Sequence, residues 1–136
     1  GGKMIQQTLL LIKPNATKKN NIGAILKMVE RNNFVIEKLK MMKMDEPLAE
    51  KFYAEHFGRD FYPFLLEFML SGKIVAVLLS RENAIPKLRE LVGNTDFEKA
   101  NLGTIRSLYA DSYRENSVHA SDSPESAKRE ISLIFS

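Results

Sequence analysis

Two uninterrupted apolar runs, LLLI (9–12) and IVAVLL (74–79), decide most of what this chain can become. Neither alternates polar with apolar residues, so TLLLIK (8–13) and KIVAVLLS (73–80) read as strands buried on both faces. Both are far shorter than the ~20 residues a membrane-spanning helix needs. With 136 residues the chain is long enough for one domain around a single core, taken here as residues 4–136. Gly1-Gly2-Lys3 ahead of Met4 reads as a remnant of recombinant expression.

The remaining segments fit around these strands. Pro14 ends the first one. Ile22, Ile25, Leu26 and Val29 then recur at helical spacing, with Asn21 as N-cap. FVIEKLKMMKM (34–44) mixes apolar residues with Lys and Glu, as a half-exposed strand would. Pro47 opens a helix through Leu48, Phe52 and Tyr53 that closes near Gly58. Another begins at Phe61, with Phe64, Leu65 and Phe68 on one face and Gly72 after it. A helix with Pro86 in its first turn runs to Val92 and stops at Gly93. Residues 94–116 read mainly as loop, with a turn of helix near Ile105. SVHAS (117–121) reads as a short strand, and 123–135 as a final helix with Ser123 as N-cap and Pro124 at its first position. The order β-α-β-αα-β-α-β-α predicts an α+β fold of the ferredoxin-like, split βαβ kind. Its four-stranded, mostly antiparallel sheet would carry helices packed on one face.

Twenty Lys and Arg against seventeen Asp and Glu leave +3, compatible with an anionic ligand but not with a basic tract that coats nucleic acid. The chain has no Cys and no signal-peptide pattern, which favours the cytoplasm. It has no GxxxxGK[ST] loop, no GxGxxG and no zinc-type spacing. Any phosphate must therefore be held by cationic side chains.

Lys13 follows four buried-type residues, where an unpaired charge is costly; on its own it is as well read as snorkelling into water. Arg89 edges the apolar arc of its helix, either covering core or aimed into a cleft. Glu130 lies beside Ala127 and Ile131 on the inward face of the last helix, where a carboxylate needs a partner such as His119; Lys128 or Arg129 at the rim is the alternative. Of the two histidines, His56 sits near a helix C-terminus, where the backbone dipole favours a cation. His119 stands among Asn116, Ser117, Ser121, Asp122, Ser123, Glu125 and Glu130, and nothing comparable surrounds His56.

NSVHASDSPESAKREI (116–131) closely resembles the active-site signature of nucleoside diphosphate kinases. The resemblance extends over nearly the entire chain, through TLLLIKPNA (8–16), ENAIPKLRELVGNT (82–95) and GTIR (103–106). It implies transfer of a γ-phosphoryl group from a nucleoside triphosphate to the enzyme and then to a nucleoside diphosphate. His119 would be the nucleophile, through Nδ1, with Glu130 orienting its ring directly or through Ser121. An imidazole nitrogen suits this role near neutral pH, and a covalent intermediate lets one site serve donor and acceptor in turn. By the same resemblance Arg59, Arg89, Arg106 and Thr95 contact the phosphates, bridged by Mg2+ that Asp122 would touch only through water. Lys13 and Asn116 hold the sugar hydroxyls, Lys13 also reaching the transferred phosphate beside Tyr53. Phe61 stacks on the base, with Leu65 on the other side. A homo-oligomer, tetramer or hexamer, is implied; membrane and nucleic acid are not required partners. The rival reading is a catalytically idle nucleotide- or nucleic-acid-binding module on the same scaffold. Such a module has no need of Lys13, Tyr53, Arg89, Asn116 and His119 together.

The chain also departs from the family's pattern. Tyr113 stands near the base where a small aliphatic residue is usual, which predicts an altered or occluded pocket. Phe97 and Leu102 replace loop prolines, which predicts a looser loop between Thr95 and Gly103 and an altered assembly. Ser136 follows directly on the last helix, where many relatives continue.

Overall fold

Both apolar runs lie at the middle of one sheet. In the computed structural model, which describes residues 4–136, β1 (Ile5–Ile12) pairs with β3 (Ile74–Glu82). Flanking them are β2 (Val35–Met42) beyond β3 and β4 (Val118–Ala120) beyond β1, and every pairing is antiparallel. Gly1-Gly2-Lys3, read above as an expression remnant, lie outside the described residues.

The expectation of helices on one face is corrected, because both faces are covered. Leu10, Ile12, Val75, Val77 and Leu79 pack with α2 (Ile22–Arg31) and α5 (Ala84–Val92) through Ile25, Val29, Leu88 and Val92. Leu9, Leu11, Ile74 and Ala76 pack with α3 (Glu46–Phe52), α4 (Tyr62–Leu70) and α7 (Pro124–Phe135) through Ala49, Phe52, Met69 and Ile134. Side chains alternate across a strand, so a run without a polar residue needs two covers. Among the described residues no helix is long and apolar enough to cross a membrane.

Caps fix most helix starts. Asp45, Thr104 and Ser123 accept from the backbone N–H groups of Leu48, Ser107 and Ser126, setting α3, α6 (Ile105–Tyr109) and α7. Asn21 stands at the N-cap of α2 but makes no side-chain capping bond. At the start of α5, Asn83 is left-handed with φ 50° and does not cap. Gln6 of β1 caps instead, its Oε1 accepting from Ile85 N at 2.9 Å, and so ties the helix that carries Arg89 to the sheet. Pro14 ends β1 as expected, but it also opens α1 (Pro14–Lys18), a helix too short to show a period in sequence.

In α4 Met69 is the only fully buried residue, while Phe64 is exposed and Leu65 and Phe68 are half-buried. The face expected from Phe64, Leu65 and Phe68 borders a cavity, Leu65 and Phe68 also packing against the core. The loop after α5 contains a turn at Phe97–Lys99, where the Glu98 amide donates to the Asp96 side chain, and Leu102 is exposed. Its two ends meet at Gly93, with φ +89°, where a Cβ would fall 2.6 Å from Thr104 Oγ1. Only glycine serves there.

β1 carries the core, so Leu10→Ala should cost about 3 kcal/mol, within the 2–5 kcal/mol usual for such truncations. Urea unfolding measures this; a loss under about 1 kcal/mol would contradict the placement of β1.

Candidate active site

β4 is short, and its register with β1 sets His119 opposite Leu11. Just beyond β1, the Lys13 N–H donates to Ser117 O at 2.8 Å. One corner of the sheet thus gathers Lys13, Asn116 and His119. Ser117 itself is fully buried in the left-handed region, with φ 76°. Its Oγ donates to Tyr109 O at 2.6 Å and accepts from Asn15 Nδ2 at 3.0 Å. A strained backbone of this kind costs about 1–3 kcal/mol and persists only where its surroundings hold it.

α7 brings the carboxylate. Glu130 is 3% exposed, and its Oε1 accepts from His119 Nε2 at 2.8 Å and from Ser121 Oγ at 2.7 Å. Of the two routes expected from sequence the direct one is present; Ser121 bonds the same carboxylate oxygen and does not bridge it to the ring. Ser121 is in turn fixed by Leu9 N, whose hydrogen bond it accepts at 3.4 Å. Burial alone would raise the Glu130 carboxyl. The hydrogen bond and charge of His119, the Ser121 hydroxyl and the charge of Arg129 outweigh it and hold the group below the usual range. A carboxylate only accepts, so Nε2 carries a ring hydrogen, and in the neutral ring Nδ1 then keeps its lone pair.

Facing the ring are cations that repel one another. Lys13 is 6% exposed and donates from Nζ to Asn116 Oδ1 at 3.0 Å. Burial first, and the charge of Arg106 second, lower its ammonium from 10.5 to about 7. Arg106 is held by the carbonyls of Gly93 and Val118, each 2.9 Å away, with Thr95 Oγ1 at 3.5 Å. Burial and the charge of Arg89 bring its guanidinium from 12.5 to about 10, Tyr113 acting the other way. Arg89 donates to Ala120 O at 3.2 Å, beside His119. Tyr53 lies edge-on to His119, 6.5 Å between centroids, and its buried hydroxyl has no partner. Burial, then the charge of Glu130, raise that hydroxyl well above the ordinary tyrosine range.

A cavity of about 540 Å³ joins these groups. Its buried end is formed by Lys13, Tyr53, Arg106, Asn116 and Glu130, with His119, Arg89, Thr95 and Asp122 beside them; its exposed end by Phe61, Leu65 and Tyr113. Tyr113 is 60% exposed and leaves the cavity open rather than occluded. Ser121 lies behind the lining. Arg59 is exposed on the segment before α4 and takes no part in the lining. Sequence reasoning missed His56, Phe64, Phe68 and Arg114, all of which line the cavity. The His56 ring stacks on Tyr53 at 6.2 Å and meets Phe61 edge-on at 5.3 Å. Its spacing of three residues from Tyr53 was the available signal, since the turn at Ala54–His56 carries both rings to one side.

The family description "Nucleoside diphosphate kinase" matches residues 6–136. The chain belongs to the nucleoside diphosphate kinase family. It is 56% identical over 132 residues to a nucleoside diphosphate kinase of Actinobacillus pleuropneumoniae, covering 97% of this chain and 96% of the relative. With the Haemophilus ducreyi enzyme it shares 51% over 133 residues, 98% of this chain and 96% of that one. Among solved structures, the nucleoside diphosphate kinase of Aquifex aeolicus superposes with a TM-score of 0.95 at 41% identity, covering 98% and 96% of the two chains. The Halobacterium salinarum enzyme in complex with CDP gives 0.93 at 33%, covering 97% and 88%. A nucleoside diphosphate kinase is a phosphotransferase, and the ferredoxin-like α+β reading stands with these neighbours. They do not support the idle-module alternative.

The Lys13 ammonium loses its proton at about pH 7 when folded but only at 10.5 when unfolded. The unfolded chain therefore binds more protons across that window, and stability rises with pH through it. Lys13→Met should gain roughly 2–4 kcal/mol below pH 7, the advantage closing toward pH 10.5. Urea unfolding at pH 6.5 and 9.5 measures the difference; a gain independent of pH would show the ammonium is not desolvated.

Proposed function

We propose that residues 4–136 form one domain that passes the γ-phosphoryl group of a nucleoside triphosphate to His119 and then to a nucleoside diphosphate. The observation that carries this reading is the His119 ring, pinned through Nε2 by Glu130 and lining one cavity with Lys13, Arg89 and Arg106.

In the first half-reaction the Nδ1 lone pair attacks the γ-phosphorus. The N–P bond forms as the bond to the bridging oxygen breaks, and the diphosphate leaves with that electron pair. No proton has to move, because the ring keeps its Nε2–H and Glu130 faces the positive charge that develops. In the second half-reaction a terminal phosphate oxygen of another diphosphate attacks, and the electron pair returns to Nδ1. Charge spreads over the equatorial oxygens during each transfer, so fixed donors lower the barrier. Arg89, Arg106 and Thr95 supply them, and the unpartnered Tyr53 hydroxyl gains an acceptor in the phosphoryl group. Lys13 and Asn116, already bonded to each other, meet the sugar hydroxyls, and the base lies between Phe61, Leu65 and Tyr113.

Mg2+ fits this donor set. It commonly keeps several waters when bound by substrate phosphates, and Asp122 offers a carboxylate at the cavity wall that one of those waters would meet. Bound there it would neutralise phosphate charge. A homo-oligomer, tetramer or hexamer, is also part of this reading. Supporting it, β2 is an unpaired sheet edge bearing exposed Val35, Leu39 and Met41. Light scattering that returned a monomer mass would remove that part.

Incubation with γ-labelled ATP should place an acid-labile, base-stable phosphate on the protein, and His119→Ala should abolish it while far-UV circular dichroism stays unchanged. Steady exchange surviving in that variant would remove the assignment. Arg89→Ala should slow transfer about 10²–10³-fold, the scale for losing one preorganised donor. A loss under threefold would place the phosphates elsewhere.

A further inference from the structure

The exposed end of the cavity carries a cation that phosphate transfer does not use. Arg114 lies there with its guanidinium carbon 4.8 Å from the centroid of the Phe64 ring, both residues lining the cavity. Phe64 is 56% exposed, so the contact lies at the surface rather than in the core. Among the described residues Arg114 has no hydrogen bond or ion pair, and its five N–H donors are open. The other cations of the site differ: Lys13, Arg89 and Arg106 each donate to the protein and stand near His119.

A nucleotide bound as proposed would have its phosphates and sugar at the buried end, where the donors are. Its base then points outward along α4, and the edge farthest from the sugar faces the mouth. That edge carries the exocyclic group by which bases differ: an oxygen acceptor on guanine, hypoxanthine and uracil, an amino donor on adenine and cytosine. Stacking on Phe61 cannot tell these apart, since every base offers a π-face. A guanidinium can, because it only donates.

We propose that Arg114 is a specificity-determining residue, favouring nucleotides whose base carries a 6-oxo or 4-oxo group over their 6-amino or 4-amino counterparts. This rests on the function proposed above. Tyr113 helps by fixing the segment: its carbonyl accepts from Asn116 Nδ2 at 3.0 Å, so Arg114 follows directly on an anchored residue.

The test uses labelled phosphoenzyme, isolated after ATP treatment and mixed with limiting diphosphate acceptors. Inosine against adenosine diphosphate isolates the 6-position, and uridine against cytidine diphosphate the 4-position. The unaltered protein should transfer to the oxo member of each pair about three- to tenfold faster, the lower part of the range for a good base contact because the site is exposed. In Arg114→Met, which keeps an apolar stem over Phe64, both ratios should fall below about twofold. Ratios near one in the unaltered protein, or an equal slowing of all four acceptors in the variant, would overturn the proposal. Absence of phosphoenzyme in the unaltered protein would instead remove the function on which the proposal rests, and the proposal with it.

Discussion

The Glu130 carboxylate can remain ionised in the interior only because two donors meet one of its oxygens, and much of the catalytic side is arranged to deliver them. Ser121 comes from the end of β4, steadied by the backbone of β1 at Leu9. His119 comes from β4 itself, opposite Leu11. The carboxylate arrives on α7, whose start is fixed by the Ser123 cap. Moving any of these elements by an ångström would leave a buried charge short of partners, which is among the costliest single defects a core can carry. The constraint works in both directions. Keeping Glu130 charged also keeps the His119 ring in one orientation, so the requirement that stabilises this corner of the fold is the one that presents Nδ1 to the cavity.

Opposite that corner the balance is reversed. Burial lowers the proton affinity of both Lys13 and Arg106, the charge of Arg106 adding to the effect on Lys13 and that of Arg89 to the effect on Arg106. The free protein thus holds an unrelieved concentration of positive charge beside an unpartnered tyrosine hydroxyl. Under the proposed function, bound phosphates would relieve it, raising the proton affinity of Lys13, pairing the guanidinium groups and accepting from the hydroxyl. Such a site is costly to the folded chain when empty and correspondingly selective when filled, the general exchange between stability and preorganised electrostatics. It also explains why the chain needs no glycine-rich phosphate loop. The donors are side chains whose positions are set by buried carbonyls, as Arg106 is by Gly93 and Val118.

Local signals placed the elements well because they are short-range. Pro47, Pro86, Pro124, Gly93 and Ser123 each act within one turn, and the helices start or stop where they stand. The site was recognised through a contiguous signature, residues 116–131, whose members the fold brings together with little intervention from elsewhere. What escaped was non-local. The two apolar runs already required cover on both faces, but counting elements suggested helices on one, and only the sheet's position between two helical layers decides the matter. The apolar stripe of α4 is identical in sequence whether it meets a core or a ligand. Sharing a face in sequence therefore does not reveal that Phe64 and Phe68 line the cavity. His56 was missed because a three-residue turn, invisible in composition, swings it beside Tyr53. Arg59 is the converse: its family position suggests a phosphate contact, yet in this conformation its segment lies open.

The gradient of burial along the cavity bears on how one site can serve several nucleotides. Under the proposed function, the parts common to all of them, phosphates and sugar, meet Lys13, Arg106 and Asn116, which are buried and hydrogen-bonded within the protein, together with half-buried Thr95 and exposed Arg89. The variable part, the base, meets Phe61, Phe64, Tyr113 and Arg114, which are exposed and make few bonds to the protein. α4, which supplies one wall, sends only Met69 fully into the core. Substitution at the mouth therefore disturbs little of the packing that keeps Glu130 and His119 in register. Under the proposed function, chemistry and base preference would be carried by separate ends of one cavity, so the second could vary without unsettling the first.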